Sequence, residues 1–215
     1  MGCVALPSQS PTAVRRIVLV AILAAGESRR MGQPKLCLPW GQTTILGHIL
    51  AQWREAGAEK IVVVHAPGET PVTRELDRLG IPSAQRASTL AMERGMMGSV
   101  VTAAARALQE VALTHLVIAL GDQPHLQTET LRELLRACET SPEKMVRVVF
   151  EGKPGHPLAL PVNVLAELSA TSSETLRDFL GLKEIAVCDL TSRDSGVLLD
   201  VDTPDDYARA SRSID

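Results

Sequence analysis

The feature that most constrains the fold is an apolar run that does not alternate with polar residues and leads straight into a glycine-containing loop. The run spans residues 17–22 and the loop spans residues 23–35. Strands without alternation are typical of sheets covered on both faces, as mostly parallel sheets are. In open α/β sheets, ligands bind beyond the carboxyl ends of the strands, which is where this loop begins. The chain is therefore predicted to build a parallel sheet with a binding loop at one edge.

Strand-like and helix-like segments alternate along the rest of the chain. Short, β-branched runs predict strands at residues 61–64, 116–120 and 145–150. Longer amphipathic stretches predict helices at residues 44–56, 98–109 and 128–138. Either Thr43 or Thr44 can cap the first helix, because a threonine hydroxyl accepts a hydrogen bond from a free N–H of the first turn. The alternation predicts a three-layer α/β/α domain, Rossmann-like, with a mostly parallel twisted sheet.

Composition narrows the class of protein. A length of 215 residues suits one domain with a substantial core, which we assign to residues 16–215, preceded by a flexible extension at residues 1–15. The formal net charge of −3 does not indicate a nucleic-acid partner. No apolar run approaches the roughly 20 residues that span a bilayer, so no membrane association is predicted. The four cysteines form no Cys-x-x-Cys pair, which favours a reducing, cytoplasmic location.

The loop after the first strand is suited to binding phosphate. Ala24, Ala25 and Gly26 leave space for a ligand to reach the backbone, whose N–H groups can face an anion. Arg30 adds a planar fork of donors and Lys35 a compact positive charge. The loop lacks the Gly-Lys-Ser/Thr ending of a P-loop and the Gly-x-Gly-x-x-Gly of a dinucleotide fold. It is a phosphate loop of another kind, unless it is an ordinary turn with two solvated cations.

This loop resembles the signature of the nucleotidyltransferases that share the fold of the molybdenum cofactor guanylyl- and cytidylyltransferases. The signature is Leu-Ala-x-Gly-x-Ser-x-Arg-Met-Gly-x-x-Lys, and the matching residues are Leu23, Ala24, Gly26, Ser28, Arg30, Met31, Gly32 and Lys35. The resemblance implies a nucleotide-diphospho-sugar transferase-like fold and a loop that wraps the triphosphate. It implies that Arg30 and Lys35 are catalytic, offsetting charge on the α-phosphate and the departing pyrophosphate. The nucleotide-binding residues of the loop would be Leu23, Ala24, Ala25, Gly26, Ser28, Arg30 and Lys35. The signature assigns no role to Arg29.

A second motif, Leu-Gly-Asp-Gln-Pro at residues 120–124, also ends an apolar strand. Asp122 should therefore emerge at the same edge of the sheet as the loop. A carboxylate there suits Mg²⁺, which binds one or two carboxylates plus phosphate oxygens, although a simple strand-end turn has the same composition. The motif resembles the metal-binding strand end of the cytidylyltransferase branch, which implies that Asp122 is a catalytic metal ligand. His125 is interpreted as a loop residue.

A third motif near the carboxyl terminus combines a helix start with two further acids. Thr203 as a cap, followed by Pro204 and acidic residues, predicts that a helix begins here after a strand end. Asp200 and Asp202 would project to one side of that strand. The Asp-x-Asp-Thr-Pro pattern resembles the family segment that supplies the second metal ligand, which implies Asp202, with Asp200 as the alternative. Two carboxylates beside a triphosphate need a divalent ion between them, so Mg²⁺ is the predicted cofactor, with Mn²⁺ as a substitute.

Residues 95–99, Gly-Met-Met-Gly-Ser, bear on the base of the nucleotide. They resemble a Gly-Leu-Leu-x-Ser segment that lies by the nucleobase in the cytidylyltransferase branch, which implies that Gly95 and Ser99 bind the nucleotide. Core packing is the alternative for the side chains of Met96 and Met97. The Ala-Ala-Gly of the first loop also matches this branch better than the Ala-Gly-Gly of the guanylyl branch. Both segments favour CTP.

Two further segments concern the second substrate and a departure from the family. Residues 152–157 resemble a Gly-His-Pro segment of the same relatives. The resemblance implies that His156 of this chain lines the pocket for the acceptor. The alternative is a hairpin residue that takes no part in the chemistry. Relatives often carry an asparagine shortly before the Gly95 segment, whereas this chain has Gln-Arg-Ala-Ser at residues 85–88. The departure concerns the contact to the base or ribose and leaves the phosphate chemistry untouched.

The resemblance implies a Mg²⁺-dependent transfer of CMP from CTP to molybdenum-bound molybdopterin. The products are molybdopterin cytosine dinucleotide and pyrophosphate, and a molybdenum hydroxylase is the implied recipient. Alternatives are a sugar or polyol phosphate as acceptor, GTP as donor, or a non-catalytic carrier that delivers the pterin cofactor. The presence of both Asp122 and Asp202 disfavours the carrier, because a carrier needs no metal site.

Overall fold

The computed structural model describes residues 17–89 and 91–212, so the predicted extension at residues 1–15 lies outside the described residues. Within these ranges the strands are β1 (Ile17–Ala24), β2 (Pro39–Trp40), β3 (Thr43–Thr44), β4 (Lys60–His65), β5 (Arg86–Ser88), β6 (Leu113–Leu120), β7 (Met145–Phe150), β8 (Lys153–Pro161) and β9 (Val187–Thr191). The α-helices are α1 (Ile45–Ala56), α2 (Pro71–Arg78), α3 (Met96–Ala107), α4 (Thr128–Thr140), α5 (Leu165–Ser169), α6 (Leu176–Gly181) and α7 (Pro204–Ser211). Among the described residues, no helix has the length and apolar character needed to cross a membrane.

Seven of the described strands form one sheet in the order β5-β4-β1-β6-β8-β7-β9. Strand β1 pairs in parallel with β4 on one side and β6 on the other. Of these seven strands, β8 alone runs antiparallel to both of its neighbours. The prediction of a mostly parallel sheet is confirmed. Strand β8 was not predicted, because Pro154 and Pro157 interrupt its first half and proline demotes a strand pattern.

The side chains of β1 alternate between two hydrophobic cores, one on each face of the sheet. Val20 and Ile22 pack with helices α1, α2 and α4 on one face. Leu19 and Ala21 pack with α3, α5 and α6 on the opposite face. An unbroken apolar run is needed here because successive side chains of a strand point to opposite faces and both faces are covered. The predicted three layers are confirmed.

The starts of helices α1 and α3 refine the sequence prediction. Thr44 is the cap of α1, since its hydroxyl accepts a hydrogen bond from the Gly47 N–H at 3.1 Å. Helix α3 starts at Met96, two residues before its predicted start at Gly98. Gly98 lies inside this helix, and a glycine is needed there because a Cβ would lie 2.0 Å from the carbonyl oxygen of Ala91. The glycine reflects close packing and not a helix boundary.

The strand end predicted just before α7 is wrong, whereas the helix start is confirmed. Residues 199–202 belong to none of the described strands. The segment is instead held to the turn that follows β6, because the Val201 N–H donates to the Asp122 carbonyl at 2.9 Å. Thr203 and Asp206 then form a reciprocal capping box at the start of α7. These local hydrogen bonds position Asp202, although its segment does not pair with any described strand.

Replacement of Leu116 by alanine is expected to lower the free energy of unfolding by about 2–5 kcal/mol, because it opens a cavity between β6 and the helices. Leu116 is 0% exposed. The matched control is Leu182→Ala, which removes the same atoms from a side chain that is 78% exposed and should change stability by about 0.5 kcal/mol or less. Urea unfolding monitored by circular dichroism measures both. Equal losses in the two variants would argue against this core.

Candidate active site

The carboxyl ends of β1 and β6 open into a cleft of about 470 Å³. Leu23 and Leu120 are paired across these strands, and the Gly121 N–H donates to the Leu23 carbonyl at 3.1 Å. Only glycine fits at position 121, since a Cβ would lie 2.7 Å from the same carbonyl oxygen. The sequence-predicted residues that line the cleft are Leu23, Ala24, Ala25, Gly26, Ser28, Arg30, Lys35, Gly95, Ser99, Asp122 and Asp202. The structure thus brings the predicted nucleotide-binding and metal-binding residues together.

The loop after β1 folds back on itself and aims its cations into the cleft. Ser28 adopts a left-handed conformation with φ of 53°, and a short 3-10 turn follows at Arg29–Met31. Met31 is buried in the core, which anchors this turn. The Ser28 hydroxyl accepts a hydrogen bond from the Lys35 backbone N–H at 3.2 Å. The serine of the signature therefore has a structural role in fixing the start of the lysine segment.

Two cations and two carboxylates form one continuous chain of contacts. Lys35 Nζ lies 2.5 Å from Asp122 Oδ2 and 2.8 Å from Asp202 Oδ1. Arg30 Nη2 lies 2.7 Å from Asp202 Oδ2. The Lys35 side chain is 11% exposed, whereas that of Arg30 is 71% exposed. Residues that are 87 and 167 positions from Lys35 in sequence thus meet at its ammonium group.

The environment of Lys35 keeps it protonated. Burial by itself lowers the pKa of Lys35, but the charges and hydrogen bonds of Asp122 and Asp202 outweigh it and raise the pKa above the ordinary value of 10.5. A buried ammonium is stable here because both of its carboxylate partners are within hydrogen-bond distance. Lys35 is therefore a permanent positive charge at physiological pH.

Asp200 lies beside this chain of contacts but outside it. The Gln123 amide donates to Asp200 Oδ1 at 3.0 Å. Loss of water around the carboxyl group, together with the charge of Asp122, raises the pKa of Asp200. Of the two acids left open by the sequence, the geometry favours Asp202, since it contacts both cations.

Asp122 retains one carboxylate oxygen for a further ligand. Its Oδ1 atom is buried and has no hydrogen-bond partner among the described residues, although buried polar atoms are usually paired. Within those residues, no three or more His, Cys, Asp or Glu side chains form a group that could hold a metal. Mg²⁺ commonly takes one or two carboxylates and completes its shell with phosphate oxygens and water. Asp122 and Asp202 therefore fit a divalent cation that binds together with a triphosphate.

His156 lies outside the cleft, in a second cavity of about 950 Å³. The histidine belongs to β8 and is a hairpin residue that also lines this cavity. Burial lowers the pKa of His156, and the charge of Asp122 opposes this effect, so the two cavities are within electrostatic reach of each other. The cavity is also lined by three arginines: Arg94, Arg147 and Arg177. Sequence reasoning missed these arginines because distant segments assemble the cavity.

The two methionines that the sequence left undecided have different roles. Met97 is 2% exposed and packs in the core, whereas Met96 is 61% exposed and lines both the cleft and the second cavity. The spacing of Met97, Val100 and Ala104 places them on one apolar face of α3. Helical periodicity could therefore have identified Met96 as the exposed methionine, since it lies off this apolar face. Met92 lines the cleft as well and was not predicted.

Comparisons with known proteins point to one family. Residues 20–187 match the family described as MobA-like NTP transferase domain. The molybdenum cofactor cytidylyltransferase of Escherichia coli is 26% identical over 190 residues, which are 88% of this chain and 93% of that protein. The bifunctional protein GlmU of Xanthobacter autotrophicus is 35% identical over 125 residues, but the match covers 57% of this chain and only 27% of GlmU.

Two solved structures share the fold over most of the chain. The crystal structure of Rv0371c from Mycobacterium tuberculosis superposes with a TM-score of 0.73 at 28% identity, covering 92% of this chain and 98% of that one. A complex of Rv0371c with manganese superposes with a TM-score of 0.69 at 26% identity, covering 92% and 98% of the two chains.

Asp200→Asn is expected to raise the free energy of unfolding at pH 7. Folding raises the pKa of Asp200 above 3.8, so the ionised carboxylate is less favourable in the folded protein than in the unfolded chain. The asparagine can still accept from Gln123 and carries no charge. The gain should shrink as the pH falls through the folded pKa and vanish below 3.8, where both states of the wild type are protonated. Urea titrations at a series of pH values measure it. A variant less stable than wild type at pH 7 would contradict this interpretation.

Proposed function

Because the chain belongs to the family of MobA-like NTP transferase domains and is a nucleotidyltransferase, we propose that it transfers CMP from CTP to molybdenum-bound molybdopterin. The products of this reaction are molybdopterin cytosine dinucleotide and pyrophosphate. We further propose a cytoplasmic enzyme whose product is received by a molybdenum hydroxylase. The similarity to the Escherichia coli molybdenum cofactor cytidylyltransferase over most of both chains supports the choice of acceptor.

One observation carries the proposal: Lys35, the last residue of the phosphate loop, contacts both Asp122 and Asp202. Nucleotidyl transfer needs positive charge where the pyrophosphate leaves, together with carboxylates that hold a divalent cation. The lysine, the exposed arginine and the two acids beside the carboxyl ends of β1 and β6 supply both requirements. The contact therefore supports transfer chemistry at this cleft.

The loop backbone, the two cations and the two acids of the cleft have distinct tasks in this reaction. The backbone of residues 24–28 and the charges of Arg30 and Lys35 orient the triphosphate and offset its negative charge. Asp122 and Asp202 would hold Mg²⁺, or Mn²⁺ as a substitute, which supplies further charge neutralisation at the phosphate oxygens. The manganese complex of the relative Rv0371c supports a divalent cation. The protein needs no general base, because a phosphate monoester is largely dianionic near neutral pH.

The second cavity supports an acceptor adjacent to the nucleotide. In the proposed step an oxygen of the acceptor phosphate attacks the α-phosphorus, and the bond from that phosphorus to the pyrophosphate oxygen breaks. The cavity of about 950 Å³ is large enough for a drug-sized molecule and shares Met96 with the nucleotide cleft. Of the arginines that line it, Arg147 pairs with Asp189, whereas Arg177 makes no ion pair among the described residues, so the charge of Arg177 is available to an anionic acceptor.

We predict that Lys35→Ala lowers kcat/KM by roughly 10²–10³-fold, by analogy with the loss of one donor to a developing negative charge. Asp122→Ala should be at least as damaging, because it removes a metal ligand. The matched control is Lys60→Ala, which breaks an ion pair with Glu110 outside the cleft and should retain activity. The measurement is pyrophosphate release from CTP with Mg²⁺ and molybdenum-loaded molybdopterin. Near wild-type kcat in Lys35→Ala would refute the catalytic role.

The same assay decides between donors and acceptors. Pyrophosphate release from CTP and not from GTP supports CTP as the donor. The choice of CTP rests on the Ala-Ala-Gly of the loop and on residues 95–99. Release from GTP alone would overturn it. Turnover only with a sugar or polyol phosphate in place of molybdopterin would keep the chemistry and replace the acceptor.

His156→Ala is expected to raise the KM of the acceptor about tenfold while the KM of CTP changes about twofold or less, since His156 lines only the second cavity. Because burial lowers its pKa, His156 is a neutral hydrogen-bonding group at pH 7, and His156→Gln should recover part of the loss. Steady-state kinetics with each substrate varied in turn measure both effects. Equal increases in the two KM values would place His156 outside a dedicated acceptor site.

A further inference from the structure

The ammonium group of Lys35 lies between the two carboxylates to which the proposed function assigns the metal. It contacts Asp122 Oδ2 and Asp202 Oδ1, while Arg30 contacts Asp202 Oδ2. Three of the four carboxylate oxygens are therefore engaged by the protein's own cations. The fourth, Asp122 Oδ1, is buried and has no partner among the described residues.

The formal charges of this cluster cancel, since two cations face two carboxylates. A free divalent cation would therefore meet two carboxylates whose charge is already balanced and two nearby positive charges that repel it. The neighbouring Asp200 lies outside this balance, and burial together with the charge of Asp122 raises its pKa and so disfavours its charged form. To bind between the carboxylates it would have to displace Lys35, whose side chain is largely buried and would lose both partners. Breaking a buried pair without a replacement is costly, so the nucleotide-free protein disfavours the metal.

A triphosphate changes this balance because it brings negative charge of its own. It offers Lys35 and Arg30 new anionic partners at the loop that follows β1, and it carries a divalent cation with it. We infer that Lys35 is a displaceable counter-ion that closes the Asp122–Asp202 pair to free metal and moves to the triphosphate when the metal–nucleotide complex binds. This inference rests on the proposed function in one respect, the assignment of these two aspartates to the metal.

A displaceable Lys35 has a role in binding order that a purely structural ion pair would not have. A structural lysine stabilises the fold, and its removal leaves the preference between free and nucleotide-bound metal unchanged. A displaceable counter-ion weakens the binding of free metal and strengthens the binding of the metal–nucleotide complex. Its removal should strengthen the binding of free metal and weaken the binding of the metal–nucleotide complex. The two roles are therefore separated by measuring both affinities in one variant.

The test is the binding of Mn²⁺ to Lys35→Met, measured by the electron paramagnetic resonance signal of free Mn²⁺. We expect nucleotide-free Lys35→Met to bind Mn²⁺ about tenfold or more tighter than the wild type, because two carboxylates lose a shared counter-ion. The Mn²⁺ complex of CTP should bind about tenfold or more weakly, because the triphosphate loses a cation. Lys60→Met, which loses an ion pair outside the cleft, should match the wild type in both titrations.

Two further measurements keep the outcome decisive. The double variant Lys35→Met/Asp122→Asn should lose the gained Mn²⁺ affinity, which identifies the carboxylate pair as its source. Mn²⁺ should also raise the thermal midpoint of Lys35→Met more than that of the wild type, which shows that the variant is folded.

Free-Mn²⁺ affinity in Lys35→Met that equals or falls below the wild type overturns the inference, as does unchanged affinity for the Mn²⁺ complex of CTP. Tighter binding of free Mn²⁺ supports it even if no acceptor is turned over. Absence of pyrophosphate release with every donor and acceptor counts against the proposed function alone.

Discussion

The in-register pairing of β1 and β6 is the constraint on which the rest of the site depends. Parallel hydrogen bonding brings Leu23 and Leu120 to the same height, so the phosphate loop and Asp122 leave the sheet side by side. The absence of a side chain at Gly121 allows the two strand ends to approach closely. Burial of both faces of β1 by the two helix layers holds this register, since a slip by one residue would exchange its two faces.

Charge balance then determines how the site is assembled. Asp202 reaches Lys35 through a short extended segment that is tied to Asp122 by one backbone hydrogen bond and ended by the capping box of α7. Partly buried charges are tolerable only when they are paired, and here the pairing joins three segments that are far apart in sequence. On the proposed function, the same pairing would make the cluster responsive to a ligand, because a triphosphate with its metal would replace each partner.

The two cavities are neighbours because of the antiparallel strand β8. Its insertion between β6 and β7 brings His156 within reach of the charge of Asp122 and opens a cavity beside the nucleotide cleft. Gly155 permits this arrangement, since a Cβ there would lie 2.0 Å from the Val197 carbonyl oxygen. Met96 contributes to both cavities, so a donor and an acceptor would share one side chain of α3.

The sequence by itself determined the features that depend on local patterns. These are the buried strands, the helices α1, α3 and α4, the cap at Thr203, and the loop whose residues carry a specific resemblance. Tertiary structure alone decided which distant groups meet. It selected Asp202 over Asp200 as the partner of Lys35, inserted a proline-containing β8 into the sheet, and gathered the arginines of the second cavity. Periodicity and capping act within a few residues, whereas these contacts depend on strand order and on the pairing of charges across 87 to 172 positions.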